Sequence, residues 1–98
     1  MAKAIWSARA TQEFEDLIAY LKQRNPDAAA RSASEIQSIS RLLARRPFLG
    51  RPGSVEGERE FSVSDWHKVF VYRVTPDGID ISSLRDPRMQ SRQDDTDA

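Results

Sequence analysis

The sequence predicts an α+β fold of order β-α-α-β-β-β: an antiparallel sheet with a helical hairpin packed on one face. Three observations carry this. Apolar residues between 10 and 43 recur at helical spacing, those between 59 and 84 alternate in twos, and a segment rich in proline and glycine (47–57) separates the two patterns. Helices with one apolar stripe must bury it, and the sheet is the surface available to them.

Taken in order, KAIWS (3–7) is short and apolar, reads as a strand, and ends at a candidate N-cap, Ser7. From Ala8 the period changes. Ala10, Phe14, Leu17, Ile18 and Leu21 line one side of a helix, with Gln12, Glu15, Asp16, Ala19 and Gln23 opposite. The helix should stop near Arg24, because Pro26 disfavours helical geometry at Asn25. The same Asn-Pro-Asp starts a second helix: Asn25 caps it, Pro26 fits its first position, and Asp27 complements the positive end of its dipole. Ala29, Ala33, Ile36, Ile39, Leu42 and Leu43 form its expected buried stripe, and the early alanines imply a close approach to the first helix. Arg45 and Arg46 put cations at the negative helix end, and Pro47 ends the run.

PFLGRPGSVEG (47–57) reads as a loop. Beyond it Arg59, Phe61 and Val63 point one way, and Glu58, Glu60 and Ser62 the other. Ser64-Asp65-Trp66 is expected to turn, His67 to Val74 to form the next strand, Thr75-Pro76-Asp77-Gly78 to turn again, and Ile79 to Leu84 to close the sheet. The second sheet face is left to solvent or to a partner. Residues 1–89 make a single domain. Residues 90–98, which hold Asp94, Asp95 and Asp97, are expected to be a disordered acidic tail.

Composition removes several function classes. The 98 residues contain no cysteine, so disulfides and thiolate metal sites are excluded, and the one histidine, His67, cannot supply a two-histidine metal site. No cofactor and no metal are expected. No apolar run approaches the ~20 residues of a membrane span, and MAKAIWSARA lacks the apolar core of a secretory signal, so the cytoplasm is the expected location. Formal net charge is zero, yet arginine outnumbers lysine twelve to three. The planar guanidinium suits bidentate contact with carboxylate or phosphate. Arg59 and Arg73 lie inside expected strands, where they hold the sheet together, bind a phosphate, or meet an acidic partner. The structural alternatives are specific. Arg59 could pair with a carboxylate at the sheet rim, Arg73 could support cross-strand pairing, and Glu60 could be solvated or ion-paired. His67 reads as structural or surface, Trp6 as core, and Trp66 as a contact residue at a turn. Arg51, in a loop, is as well suited to function as to solvation.

Several words of the sequence resemble the RelE/ParE superfamily of bacterial toxins from type II toxin–antitoxin pairs. They are Trp6-Ser7-Ala8, Phe14 to Tyr20, the alanine-rich second helix ending at Leu43 and Pro47, Gly50-Arg51-Pro52-Gly53, Gly57-Glu58-Arg59-Glu60-Phe61 and Val69 to Val74. The resemblance covers residues 4 to about 88. It departs at Ser83-Leu84-Arg85-Asp86-Pro87-Arg88, where many relatives carry a histidine-containing turn and this chain has none.

The resemblance implies one of two activities: a RelE-like endoribonuclease that cuts messenger RNA on the ribosome, or a ParE-like inhibitor of DNA gyrase with no chemistry of its own. Fold alone does not separate them. RNA cleavage needs a base, an acid and cations aimed at a crowded phosphate. Arg51, Arg59 and Arg85 could serve as the cations, but an arginine's pKa above ~12 makes it a poor base. Proton transfer would fall to His67, Tyr72 or a carboxylate, and no tyrosine or histidine follows the last strand. The ParE-like reading is therefore favoured, with Arg51, Arg59, Trp66, Arg73, Arg85 and Arg88 as partner-binding residues displayed from one rim. The implied partners are a cognate antitoxin, whose acidic residues would meet toxin arginines, and DNA gyrase or the ribosome as target. A homodimer or a hetero-oligomer with the antitoxin is possible, and no membrane is implied.

Overall fold

The computed structural model describes residues 2–63 and 67–86. Its elements are β1 (Lys3–Trp6), α1 (Ala8–Arg24), α2 (Pro26–Arg45), a 3-10 turn (Pro47–Leu49), β2 (Arg51–Pro52), β3 (Arg59–Val63), β4 (Lys68–Thr75) and β5 (Gly78–Arg85). The expected turn at Ser64-Asp65-Trp66, the partner residues Trp66 and Arg88, and the tail at 90–98 lie outside the described residues.

The helix boundaries follow their local signals. Ser7 Oγ accepts from Ala10 N at 3.0 Å, and Asn25 Oδ1 accepts from Ala28 N at 3.1 Å, so each satisfies a backbone donor that the first turn leaves free. Asn25 also closes α1, its N–H donating to Leu21 O at 2.7 Å. One asparagine thus ends one helix and begins the next, which forces the hairpin.

The sheet runs β1-β5-β4-β3-β2. Its β5-β4-β3 pairs are antiparallel as expected, and β2 adds to β3 antiparallel, whereas β1 joins the edge of β5 in parallel, Trp6 lying opposite Ile81. The segment read as loop is more ordered than its prolines and glycines suggest. It contains the 3-10 turn and a two-residue edge strand, Arg51 opposite Glu60 and Pro52 opposite Arg59. Pro52 is tolerated there because an edge strand needs few backbone donors.

The core sits between the sheet and the helices: Ala10, Ile36, Leu43 and Ala44 against Val63, Phe70, Tyr72, Ile79, Ile81 and Leu84. Trp6 is half-buried, its ring 5.4 Å from that of Phe14 and 5.8 Å from that of Phe70. The buried stripe of α2 is broader than its large apolar residues indicate. Ala28, Ser32, Ser40 and Ala44 are buried, while Ala33, Ile39 and Leu42 are only partly so. Small residues let the helix approach closely, and the Ser40 hydroxyl accepts from Trp6 Nε1 at 3.2 Å, giving the indole N–H its partner. The outer sheet face is not bare, because Val69 and Val71, whose register puts them there, are buried.

An edge carboxylate completes the sheet. Beyond the end of β1, Glu13 of α1 accepts from Leu84 N at 2.9 Å and Ser83 Oγ at 3.0 Å. It takes the place a longer β1 would have filled. Arg9 pairs with it one turn earlier, at 3.5 Å.

Gly78 begins β5 opposite Lys3, and a Cβ there would run into the Lys3 backbone. Gly78→Ala must therefore push β1 away. It is expected to lower the unfolding free energy by about 2–3 kcal/mol, seen as a lower denaturant midpoint. An unchanged midpoint would mean that β1 shifts without cost.

Candidate functional site

Strand alternation divides the arginines before any side-chain contact is considered. Arg59 lies opposite Tyr72 and shares its face with Phe61 and Val63, the face covered by the helices. Glu60, one residue on, lies opposite Val71 and Arg51 on the outer face. The expectation that the arginines emerge from one rim is corrected: Arg59 stands on one side, and Arg51, Arg73 and Arg85 stand on the other. The reason is the period of two.

On the helix side, Tyr72 is fully buried. Its hydroxyl donates to Pro47 O at 2.6 Å and accepts from Gly50 N at 2.9 Å. Arg59 Nε donates to Gly50 O at 2.9 Å, and its guanidinium lies over the Phe48 ring, 5.1 Å from the centroid. Two strand residues thus tie down the segment that leaves α2, and the arginine does so through a backbone carbonyl. Among the described residues no carboxylate pairs with Arg59, so the expected pairing at the rim gives way to a loop anchor. Gly50 has to be glycine here, because a Cβ would collide with the Tyr72 hydroxyl and come within 2.8 Å of Glu60 O. Phe48 remains 70% exposed and Leu49 46%, an apolar pair raised beside the arginine.

On the outer face, Glu60 is the centre. Its carboxylate lies 3.1 Å from Arg85 Nη2 through one oxygen and 3.8 Å from Arg51 Nη2 through the other. Arg85 reaches it across β4, since Arg85 lies opposite Val69, and Glu60 opposite Val71. The Glu60 and Arg85 side chains are largely buried, at 11% and 18% exposure, while that of Arg51 is 73% exposed. Arg85 Nε is buried with no hydrogen-bond partner among the described residues. Farther along the same face, Arg73 Nη2 lies 3.8 Å from Glu58 Oε2, and Arg73 Nη1 donates to Glu56 O at 3.4 Å. Arg73, expected to support cross-strand pairing, braces the 53–58 segment instead.

The candidates for proton transfer are placed as follows. The Tyr72 hydroxyl is committed to two backbone groups. His67 is exposed at the turn before β4, with a left-handed φ of 51°. Glu60 is shared by two arginines. Among the described residues no group of three His, Cys, Asp or Glu side chains could hold a metal ion, and no helix is long and apolar enough to cross a membrane. Sequence reasoning missed the role of Glu13, which lies between the two helix faces it recognised, and it missed Glu60 as a hub. For Glu60 the signal was the alternation that put it on the strand face away from Arg59.

Comparison with known proteins gives the family and the fold. Residues 4–90 match the family model described as ParE toxin of type II toxin-antitoxin system, parDE. A protein of Sinorhizobium fredii (strain NBRC 101917 / NGR234), Y4kP, whose name describes it as a candidate toxin, is 35% identical over 72 residues. That alignment spans 74% of this chain and 75% of the relative. Among solved structures, one described as the chromosomal ParDE TA system from P. aeruginosa superposes with a TM-score of 0.76 at 20% identity. It covers 88% of this chain and 96% of the other, a likeness of fold.

Tyr72→Phe removes the hydroxyl that serves both Pro47 O and Gly50 N. It is expected to cost about 1–3 kcal/mol, because the backbone groups lose their buried partner. Equilibrium unfolding with an unchanged denaturant slope would register this. A variant as stable as the parent would mean that the 3-10 turn holds without the phenol.

Proposed function

Because this chain belongs to the ParE toxin family of type II toxin–antitoxin systems, we propose that it inhibits DNA gyrase by binding, without a reaction of its own, and is neutralised in the cytoplasm by a cognate antitoxin. The observation that carries the reading is the division of the arginines. Arg51 and Arg85 converge on Glu60, while Arg59 is turned to the opposite face and bound to Gly50 O. Three cations so arranged do not surround one scissile phosphate, and a ribonuclease needs that convergence together with a free acid and base. The tyrosine hydroxyl is held between Pro47 and Gly50.

A binding module needs accessible anchors instead. Arg51 and Arg73, with side chains 73% and 49% exposed, offer charge on the outer face, where Arg85 is largely buried. Phe48 and Leu49 offer apolar surface on the other side of the sheet, next to Arg59. Aromatic and arginine side chains are the residue types that concentrate binding energy at interfaces. An antitoxin segment bearing carboxylates would gain from the outer arginines, and coupled folding of such a segment would suit a surface this small.

Induction of the chain in bacteria is expected to give filamentous cells with a DNA-damage response, and the purified chain is expected to inhibit supercoiling by gyrase. Co-expression of the antitoxin should restore growth. Rapid cleavage of translated messages with gyrase unaffected would replace this reading with the endoribonuclease one. Normal growth on induction would mean that toxicity has been lost.

A further inference from the structure

The outer-face cluster has a feature that binding to gyrase does not require. Two guanidinium groups from distant parts of the chain, Arg51 and Arg85, converge on a single carboxylate, and that carboxylate comes from the chain itself. Each Glu60 oxygen meets a different arginine, and Arg85 still has a buried Nε with no partner among the described residues. Two cations around one anion leave one net positive charge and spare N–H donors in a partly buried setting. That is the donor set of an oxyanion site, since guanidinium forks match the geometry of phosphate as well as carboxylate.

We propose that Glu60 is a built-in competitor: its carboxylate occupies an oxyanion cradle formed by Arg51 and Arg85, so that phosphate-type anions are refused there. The sheet fixes this arrangement. Glu60 is held opposite Val71 and Arg51, and Arg85 opposite Val69, so both ends of the closer pair are set by backbone register. The β2 segment closes over the carboxylate. Gly53 N donates to Glu58 O at 2.8 Å, and a Cβ on Gly53 would come within 3.2 Å of Glu60 Oε2. An external anion must therefore displace a tethered carboxylate that is already positioned and largely desolvated. A tethered group competes at high effective concentration, which a free phosphate at millimolar levels does not match. A phosphate entering beside Glu60 would meet its negative charge at close range, and that repulsion is strong where solvent is excluded.

Anion selection on this face is the same whether gyrase or another macromolecule is the target. It gives the cluster a role in specificity. The same two arginines would carry a phosphodiester if the carboxylate were absent, and with it they are left to the tethered anion.

The test uses the full chain, with inorganic phosphate as the probe and chloride at matched ionic strength as the control. Thermal unfolding is followed against phosphate concentration, with calorimetric titration for the affinity. The parent is expected to show no phosphate-specific rise in Tm. Glu60→Gln and Glu60→Ser are expected to gain at least tenfold in apparent phosphate affinity, with Tm rising as phosphate is added. Adding Arg85→Met to either is expected to abolish the gain. Four outcomes overturn the proposal. The parent binds phosphate as well as the variants do, or both folded variants gain nothing. The gain survives Arg85→Met, or both single variants stay unfolded even in phosphate, which would make Glu60 a structural requirement that no free anion replaces.

Discussion

The pleat of β3 governs what this molecule can do with its charges. Successive side chains of a strand leave on opposite faces, so Arg59 and Glu60, neighbours in sequence, act in separate environments. Arg59 turns toward the helices and becomes an anchor for Gly50 and a lid over Phe48. Glu60 turns outward and becomes the meeting point of Arg51 and Arg85. A shift of one residue in the β3–β4 register would exchange these roles and expose Phe61 in place of a charged pair, which is why burial on one face fixes the register.

The buried Tyr72 makes the two environments mutually dependent. Its hydroxyl holds Pro47 and Gly50. Gly50 is followed at once by Arg51, so the phenol that organises the helix side also fixes where the outer-face arginine begins. Gly50 has no room for a side chain because the Tyr72 hydroxyl and the Glu60 carbonyl close on it from β4 and β3. The exit from α2, the edge strand and the charge cluster are therefore one unit built on the central strand β4. Buried polar groups that are fully paired in this way specify a single arrangement, since any alternative leaves a donor or acceptor stranded.

This construction also shows why the fold by itself does not set the chemistry. The helical hairpin and the sheet are shared structure, and a site is a set of side chains placed on it. In this chain the arginine-rich composition suggests phosphate chemistry, but the placement spends one guanidinium on a loop carbonyl and two on an internal carboxylate. Arg51, whose side chain is 73% exposed, still offers its charge to a protein surface, whereas Arg85 is largely buried against Glu60.

Much of the architecture was legible in the residues themselves. Ser7 and Asn25 marked the helix starts because a side-chain oxygen can satisfy a free N–H locally, within three residues. Alternation from Arg59 onward revealed the strands because half-buried sheets impose it. The parallel docking of β1 on β5 was not legible, nor was the Glu13 contact with Ser83 and Leu84, since both join residues about seventy positions apart or more. The buried serines of α2 were missed because their polarity hides that a small volume is what the packing needs. The site divided in the same way. Composition drew attention to the arginines, and the period of two put Arg59 with Phe61 and Val63, but the faces of Arg51 and Arg85 were not assigned by it. That Arg85 crosses a whole strand to share Glu60 with Arg51 was decided only by the three-dimensional register of β5, β4, β3 and β2, because local sequence carries no record of which distant residue a charge will meet.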